Sequence, residues 1–265
     1  MLDLVHARSE FQHYLEPFDC ENDKIKLKII HTDGVVSCAS EIARRMKLPE
    51  EDIQLAMMIA LLHDIGRFEQ ARRYDSFEPM TMDHAAYGVQ LLFGEDPLIR
   101  RFVEEDTWDD IIREAIGRHS DYSVGVIEDE RMLLHAKLIR DADKLDNCRV
   151  KLEDSIQVLL NADAEEAGKQ GITDKIWETC KRHLSVRLSE RVTKMDYWVS
   201  YIAYFFDINF PETWSLIREN NYIDRIIDRI PYSNPDTKQK MEELRQMMHF
   251  RCEAAVRKLA GTEYN

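Results

Sequence analysis

The residues with the strongest claim to chemistry are histidines and aspartates placed where folding would bury them. His63 and Asp64 follow a stretch, Ile53 to Leu62, that is apolar on both helical faces. Ionisable groups in the last turn of so buried a helix are costly unless they are paired, hydrogen-bonded or bound to a metal ion. His31 stands in register with Val35, Cys38 and Ile42 at i, i+4, i+7 and i+11, which makes a single inward stripe. Further on, the segment Arg140 to Asp146 offers the carboxylates of Asp141, Asp143 and Asp146. Asp141 shares an apolar face with Leu134, Leu138 and Leu145, so periodicity alone does not choose among the three. Imidazole nitrogens and carboxylate oxygens together are donors for divalent transition metals.

The order of these groups resembles the HD-domain superfamily, whose metal ligands run His, His-Asp, Asp. The resemblance rests on His31, on His63-Asp64-Ile65-Gly66 and on Ala142-Asp143-Lys144-Leu145, within residues 25–150. It implies His31, His63, Asp64 and Asp143 as metal ligands. The family's final aspartate usually stands in an Ala-Asp-x-Leu setting, which selects Asp143 and leaves Asp141 as the alternative. His84 in Met82-Asp83-His84-Ala85 and His119 in Gly117-Arg118-His119-Ser120 resemble the extra pair of two-metal members. The resemblance thus implies one or two divalent ions, about 3.5–4 Å apart if two, with Asp64 bridging. Such a donor set suits iron, manganese or zinc better than magnesium, which prefers oxygen.

Members of this family are mostly phosphohydrolases of nucleotides, cyclic dinucleotides or alarmones, and a minority are iron oxygenases. The implied activity is metal-dependent hydrolysis of a phosphoester in a small molecule, a nucleotide or related phosphate. Metal ions would bind phosphate oxygens and lower the pKa of water. Asp64 or Asp141 would accept the proton, and Arg67 and Lys144 would receive phosphate oxygens. Two alternatives keep the same ligands: a diiron oxygenase acting on a small polyol or phosphonate, and a metal-containing binding or regulatory module. His135 has no counterpart in the pattern and reads as structural.

The elements that must carry these residues are helices. Glycine and proline number only 9 and 7, while Leu, Ile, Ala, Met, Glu, Lys and Arg dominate, so we expect an all-α HD-type bundle. A helix is predicted over Lys24–Met46. Pro49 and the acids Glu50, Glu51 and Asp52 start a second, which Gly66 is expected to stop. Asp83 or Thr81 caps a third, with His84 in its first turn. Others run from Trp108 to Arg118 and from Glu130 to Leu160. A polar break with two glycines, Asn161 to Thr173, divides a metal-binding core of residues 1–160 from a helical extension, 161–265, that packs on it. In the extension Met195, Trp198, Val199, Ile202, Phe205 and Phe206 form a helical stripe, and Ile223, Ile226 and Ile227 another. Tyr197, Tyr201 and Tyr204 make an aromatic face suited to packing against the core or a second copy of the chain, which admits a homo-oligomer.

The net charge of −14 argues against a general grip on nucleic acid or an anionic membrane, both of which need clustered positive charge. No apolar stretch approaches the roughly 20 residues of a membrane helix. The start, Met1-Leu2-Asp3-Leu4, lacks the basic and apolar regions of a signal peptide. The expected setting is the cytoplasm and the expected partner a small phosphate-bearing substrate. The five cysteines are scattered, without a Cys-x-x-Cys pair, and suggest neither a disulfide framework nor a thiolate metal site.

Overall fold

A computed structural model describes residues 2–78 and 80–261, with the side chain of residue 260 left out. Among them there are helices and no strand. The chain forms two compact units, residues 1–146 and 147–265, whose boundary falls inside a helix.

In the first unit the helices are α1 (Leu4–Leu15), α2 (Asp23–Arg45), α3 (Glu50–Leu62), α4 (Ile65–Tyr74), α5 (His84–Phe93), α6 (Ile99–Phe102), α7 (Asp109–Arg118) and the opening turns of α8 (Glu130–Glu153). Local chemistry sets their starts. The carboxylate of Asp3 accepts from the amides of Val5 and His6, and the Asn22 side chain accepts from those of Lys24 and Ile25. Pro49 precedes three acids in the first turn of α3, where the helix dipole favours negative charge. Helix α3 is the core element: Ile53, Leu55, Ala56, Met58, Ile59, Ala60, Leu61 and Leu62 are all buried. It packs along α2 and against α1 and α7, while α4 lies against α5, and α5 against α7.

Gly66 does not stop the second predicted helix. That helix breaks earlier, at Asp64, whose backbone leaves helical geometry (φ −103°, ψ 16°), and the chain re-enters a helix at Ile65. Gly66 lies inside α4 because α5 crosses there: a Cβ at this position would come within 2.3 Å of the His84 carbonyl oxygen and 2.9 Å of the Gly88 amide nitrogen. Phe68 anchors α4 from its other side, in ring contact with Phe11, Tyr14 and Phe18. The Tyr14 hydroxyl donates to the Ile65 carbonyl at 3.0 Å, fixing the chain beside Asp64.

The second unit contains the end of α8, then α9 (Ile156–Leu160), α10 (Ala164–Lys169), α11 (Asp174–Lys181), α12 (Lys194–Ala203), α13 (Pro211–Glu219), α14 (Tyr222–Ile227) and α15 (Pro235–Gly261), with short 3₁₀ turns at Leu188–Glu190 and Tyr204–Asp207. The helix predicted to reach Leu160 ends at Glu153, and Ser155 caps a separate α9 by accepting from the Val158 amide. The stripe of Met195, Trp198, Val199 and Ile202 is buried as its spacing predicts, and Phe205 and Phe206 continue it through the 3₁₀ turn. Thr193 and Asp196 form a reciprocal capping box at the start of α12. The tyrosine face is engaged locally: Lys151 sits 4.2 Å over the Tyr201 ring and Arg191 sits 4.1 Å over Tyr197. No helix among the described residues is long and apolar enough to cross a membrane.

Candidate metal centre

The break between α3 and α4 gathers the predicted residues. His63 caps the end of α3, directly after Leu62; it is fully buried, and its Nδ1–H donates to the Ala60 carbonyl one turn back at 2.7 Å. That bond leaves the lone pair of Nε2 directed elsewhere. Nε2 has no hydrogen-bond partner although it is buried. Burial pushes the His63 pKa down to about 4, so the ring is neutral and available as a donor to a cation.

His119 repeats the arrangement at the end of α7, with Nδ1–H donating to the Ile116 carbonyl at 2.7 Å. Arg140 of α8 holds this helix end by donating to the carbonyls of Arg118 and His119. His84 is the first residue of α5, capped by Asp83, and its Nε2 lies 3.0 Å from the Nε2 of His119. Burial drives the His84 pKa far below its ordinary value. Two imidazole nitrogens so close, with the Nδ1 of His119 already bonded to backbone, suit a shared cation.

Asp64 stands between these rings and points one oxygen at each set. Its Oδ2 lies 3.5 Å from His63 Nε2 and 3.9 Å from His31 Nε2. Its Oδ1 lies 3.3 Å from His84 Nε2 and 3.5 Å from His119 Nε2. Two groups result, His31–His63–Asp64 and Asp64–His84–His119, each with its ligand atoms within 4.8 Å of one another. Burial alone would raise the Asp64 pKa, but Lys28 and the neighbouring imidazoles hold the carboxyl well below its usual range.

Helix α8 completes the first group. Asp143 Oδ1 is 2.9 Å from His31 Nε2, and Asp146, one turn later, is 2.7 Å from His31 Nδ1. Burial and Lys28 push the His31 pKa down, yet the contacts with Asp143 and Asp146 outweigh them and the net shift is upward. Gly34 makes room for this contact, since a Cβ there would lie 2.0 Å from Asp146 Oδ1. Asp141 is fully buried, but it lies about 200° around the helix from Asp143.

This constellation of α2, α3, α5, α7 and α8 coincides with a family match. The family model described as the HD domain covers residues 29–148, from just before His31 to just after Asp146. This part of the chain is an HD domain. Neither the curated proteins nor the solved structures yield a match to the chain. HD domains generally belong to metal-dependent hydrolases. The unpartnered His63 Nε2, the converging imidazoles and the central carboxylate fit a divalent ion of the kind such domains bind.

The remaining predicted residues occupy different positions. Arg67 Nε lies 3.7 Å from Asp64 Oδ1, but its Nη1 is committed to Gln70 Oε1 at 2.6 Å and to the Phe77 carbonyl at 3.0 Å. Lys144 Nζ donates to the Arg140 carbonyl of its own helix at 3.3 Å. His135 pairs with Asp52 at 2.9 Å, away from the ligand cluster. Two residues at the centre received no role from the sequence pattern. Asp146 was visible as an acid three residues after Asp143, and thus on the same helical face. Lys28, with Nζ 2.7 Å from Asp64 Oδ2, stands three residues before His31, the equivalent position on α2.

Proposed function

We propose that the chain is a metal-dependent phosphohydrolase that cleaves a phosphoester of a small molecule, a nucleotide or related phosphate, and that His31, His63, Asp64, His84, His119 and Asp143 hold the metal. The observation that carries this reading is the division of Asp64, with one carboxylate oxygen toward each of two imidazole groups. A carboxylate so placed would help to hold an ion in either group, and so would serve two-metal phosphoester chemistry. Bound divalent ions would supply charge for the phosphoryl oxygens and would acidify water.

The chain's own groups would do the rest. The neutral Nε2 atoms of His63 and His84 offer lone pairs without first losing a proton, His119 turns its own Nε2 to the same place, and Asp64 supplies negative charge. Solvent enters on the side of Asp143, whose side chain is 24% exposed while those of His31 and Asp64 are 4% exposed. We therefore assign the proton-accepting role to Asp143 or Asp64, and none to Asp141, which lies on another face of α8. Arg67 steadies Asp64 and the neighbouring loop. A centre reached by solvent supports catalysis over a sealed structural metal.

A second reading draws on the donor set itself, since four imidazoles with carboxylates also suit iron, and an iron oxygenase acting on a small polyol or phosphonate would use them. One experiment separates the two. Untagged protein is analysed for metal, then assayed against a phosphoester panel with added Mn²⁺, Fe²⁺, Zn²⁺ or Mg²⁺ while oxygen is monitored. Phosphate release without oxygen uptake supports the hydrolase, oxygen uptake with iron supports the oxygenase, and a protein that binds no metal defeats both.

A further inference from the structure

Beside the ligand cluster lie two cations with different freedom. Arg67 is held by Gln70 Oε1 and the Phe77 carbonyl, while Gln70 Nε2 donates in turn to the Glu78 carbonyl at 3.0 Å and to Thr81 Oγ1 at 2.8 Å. The guanidinium is thus the fastening of the loop between α4 and α5. Lys28 has a flexible stem, its side chain is 15% exposed, and its ammonium rests on Asp64 Oδ2 at 2.7 Å.

That oxygen is the atom Asp64 presents to His31 and His63. A divalent ion taking Oδ2 would meet the ammonium at the same place, and like charges so close repel strongly in a buried site. Lys28 must then turn away. The ring of Phe77, whose centroid is 5.3 Å from Nζ, offers the ammonium a favourable neighbour on the way out and keeps it near the centre. An ammonium displaced from a carboxylate beside a metal site is placed to bind an anion that the metal also binds.

We propose that Lys28 is the phosphate-contacting residue of this centre: its ammonium occupies Asp64 while no metal is bound and passes to a phosphate oxygen of the substrate once a divalent ion claims the carboxylate. This rests on the phosphohydrolase reading above. The chemistry recognised is a terminal phosphate dianion, held jointly by metal and ammonium. Lys28 belongs to no ligand motif, and Arg67, the arginine that the sequence suggested for this task, has its Nη1 already bound to Gln70 and the Phe77 carbonyl.

The test is a pair of calorimetric titrations, Mn²⁺ into metal-free protein and inorganic phosphate into Mn²⁺-loaded protein, for the wild type and for Lys28→Met, Lys28→Gln and Lys28→Arg. Loss of one charge-assisted hydrogen bond predicts that the neutral variants bind phosphate about tenfold more weakly or worse. Their Mn²⁺ affinity is unchanged or higher, because a competing cation is gone, and Lys28→Arg stays within about threefold of wild type for phosphate. Lys28→Gln carries the same comparison should Lys28→Met not fold. Neutral variants that bind phosphate as the wild type does overturn the assignment, and so does weakened Mn²⁺ binding large enough to account for the phosphate loss. A wild type that binds Mn²⁺ but no phosphate refutes the hydrolase reading itself and this assignment with it.

Discussion

The imidazole of His31 donates from Nδ1 to the carboxylate of Asp146 at 2.7 Å, across the 115 positions that separate them in the chain. Because the other ring nitrogen faces Asp143 and Asp64, this bond fixes which nitrogen a cation would meet. Replacing Asp146 by Ala frees the ring to rotate, and metal affinity should fall about 10- to 100-fold, as for other carboxylates that orient a ligating histidine. Asp146→Asn, which keeps an acceptor but not the charge, should lose less. Gly34→Ala reaches the same contact from α2. Alanine favours the helix by about 1 kcal/mol over glycine, so a drop in metal affinity without loss of stability would report the displaced carboxylate alone. Metal titration with thermal unfolding in parallel checks all three.

Asp64 faces both imidazole groups, whereas each histidine faces one, and this difference predicts metal content. Asp64→Ala should abolish tight binding altogether. His84→Ala and His119→Ala should leave the group of His31 and His63 in place and retain about half of the wild-type content if two ions bind. Elemental analysis of protein dialysed against trace metal reads the result. Equal loss in all three variants would indicate one shared ion in place of two.

Gly66 offers a test of how the fold positions His84. A methyl group at this position would meet backbone atoms of His84 and Gly88, which cannot move aside as a flexible side chain can. Overpacking of this kind costs about 1–3 kcal/mol. Gly66→Ala should lower the unfolding midpoint and also weaken binding in the Asp64–His84–His119 group, because relief of the clash shifts the start of α5. Gly117→Ala is the control, since its nearest neighbour would be the Val89 side chain at 3.6 Å, an ordinary contact.

Much of this site was legible because its residues break the rule of their surroundings. His63 and Asp64 end an apolar helix, and His31 stands in an apolar stripe; neither placement is comfortable without a partner. What periodicity could not supply was the choice between Asp141 on one face of α8 and Asp143 with Asp146 on the other, and only the position of α2 shows which face is used. Gly66 illustrates a different limit. A glycine after a helical run reads as a stop, yet here it serves a helix crossing that no local pattern reveals. Helix α15 was missed although its buried residues Met241, Leu244, Met248 and Cys252 follow helical spacing, because its many charges dilute the stripe.

The pair of Asp52 and His135 predicts how stability responds to acid. Burial pushes the His135 pKa down, and Asp52 only partly restores it; protonation would also put an N–H on Nδ1, which is buried and without a partner. For Asp52 burial acts upward, but the hydrogen bonds from His135 and Arg131 outweigh it and hold the carboxyl below its usual value. In both cases the unfolded chain takes up the proton first, so acid favours unfolding. The histidine contribution is complete above the ordinary value of about 6.5 and is lost as the pH falls from there toward the folded pKa, while the aspartate contribution is lost only below about 3.9. Urea unfolding at pH 7.5 and pH 5 should therefore show wild type losing more stability than His135→Gln, which keeps a donor toward Asp52 but has no ring to titrate. A wild type that gains stability over the same interval relative to the variant would mean that His135 is charged in the fold and forms an ion pair with Asp52.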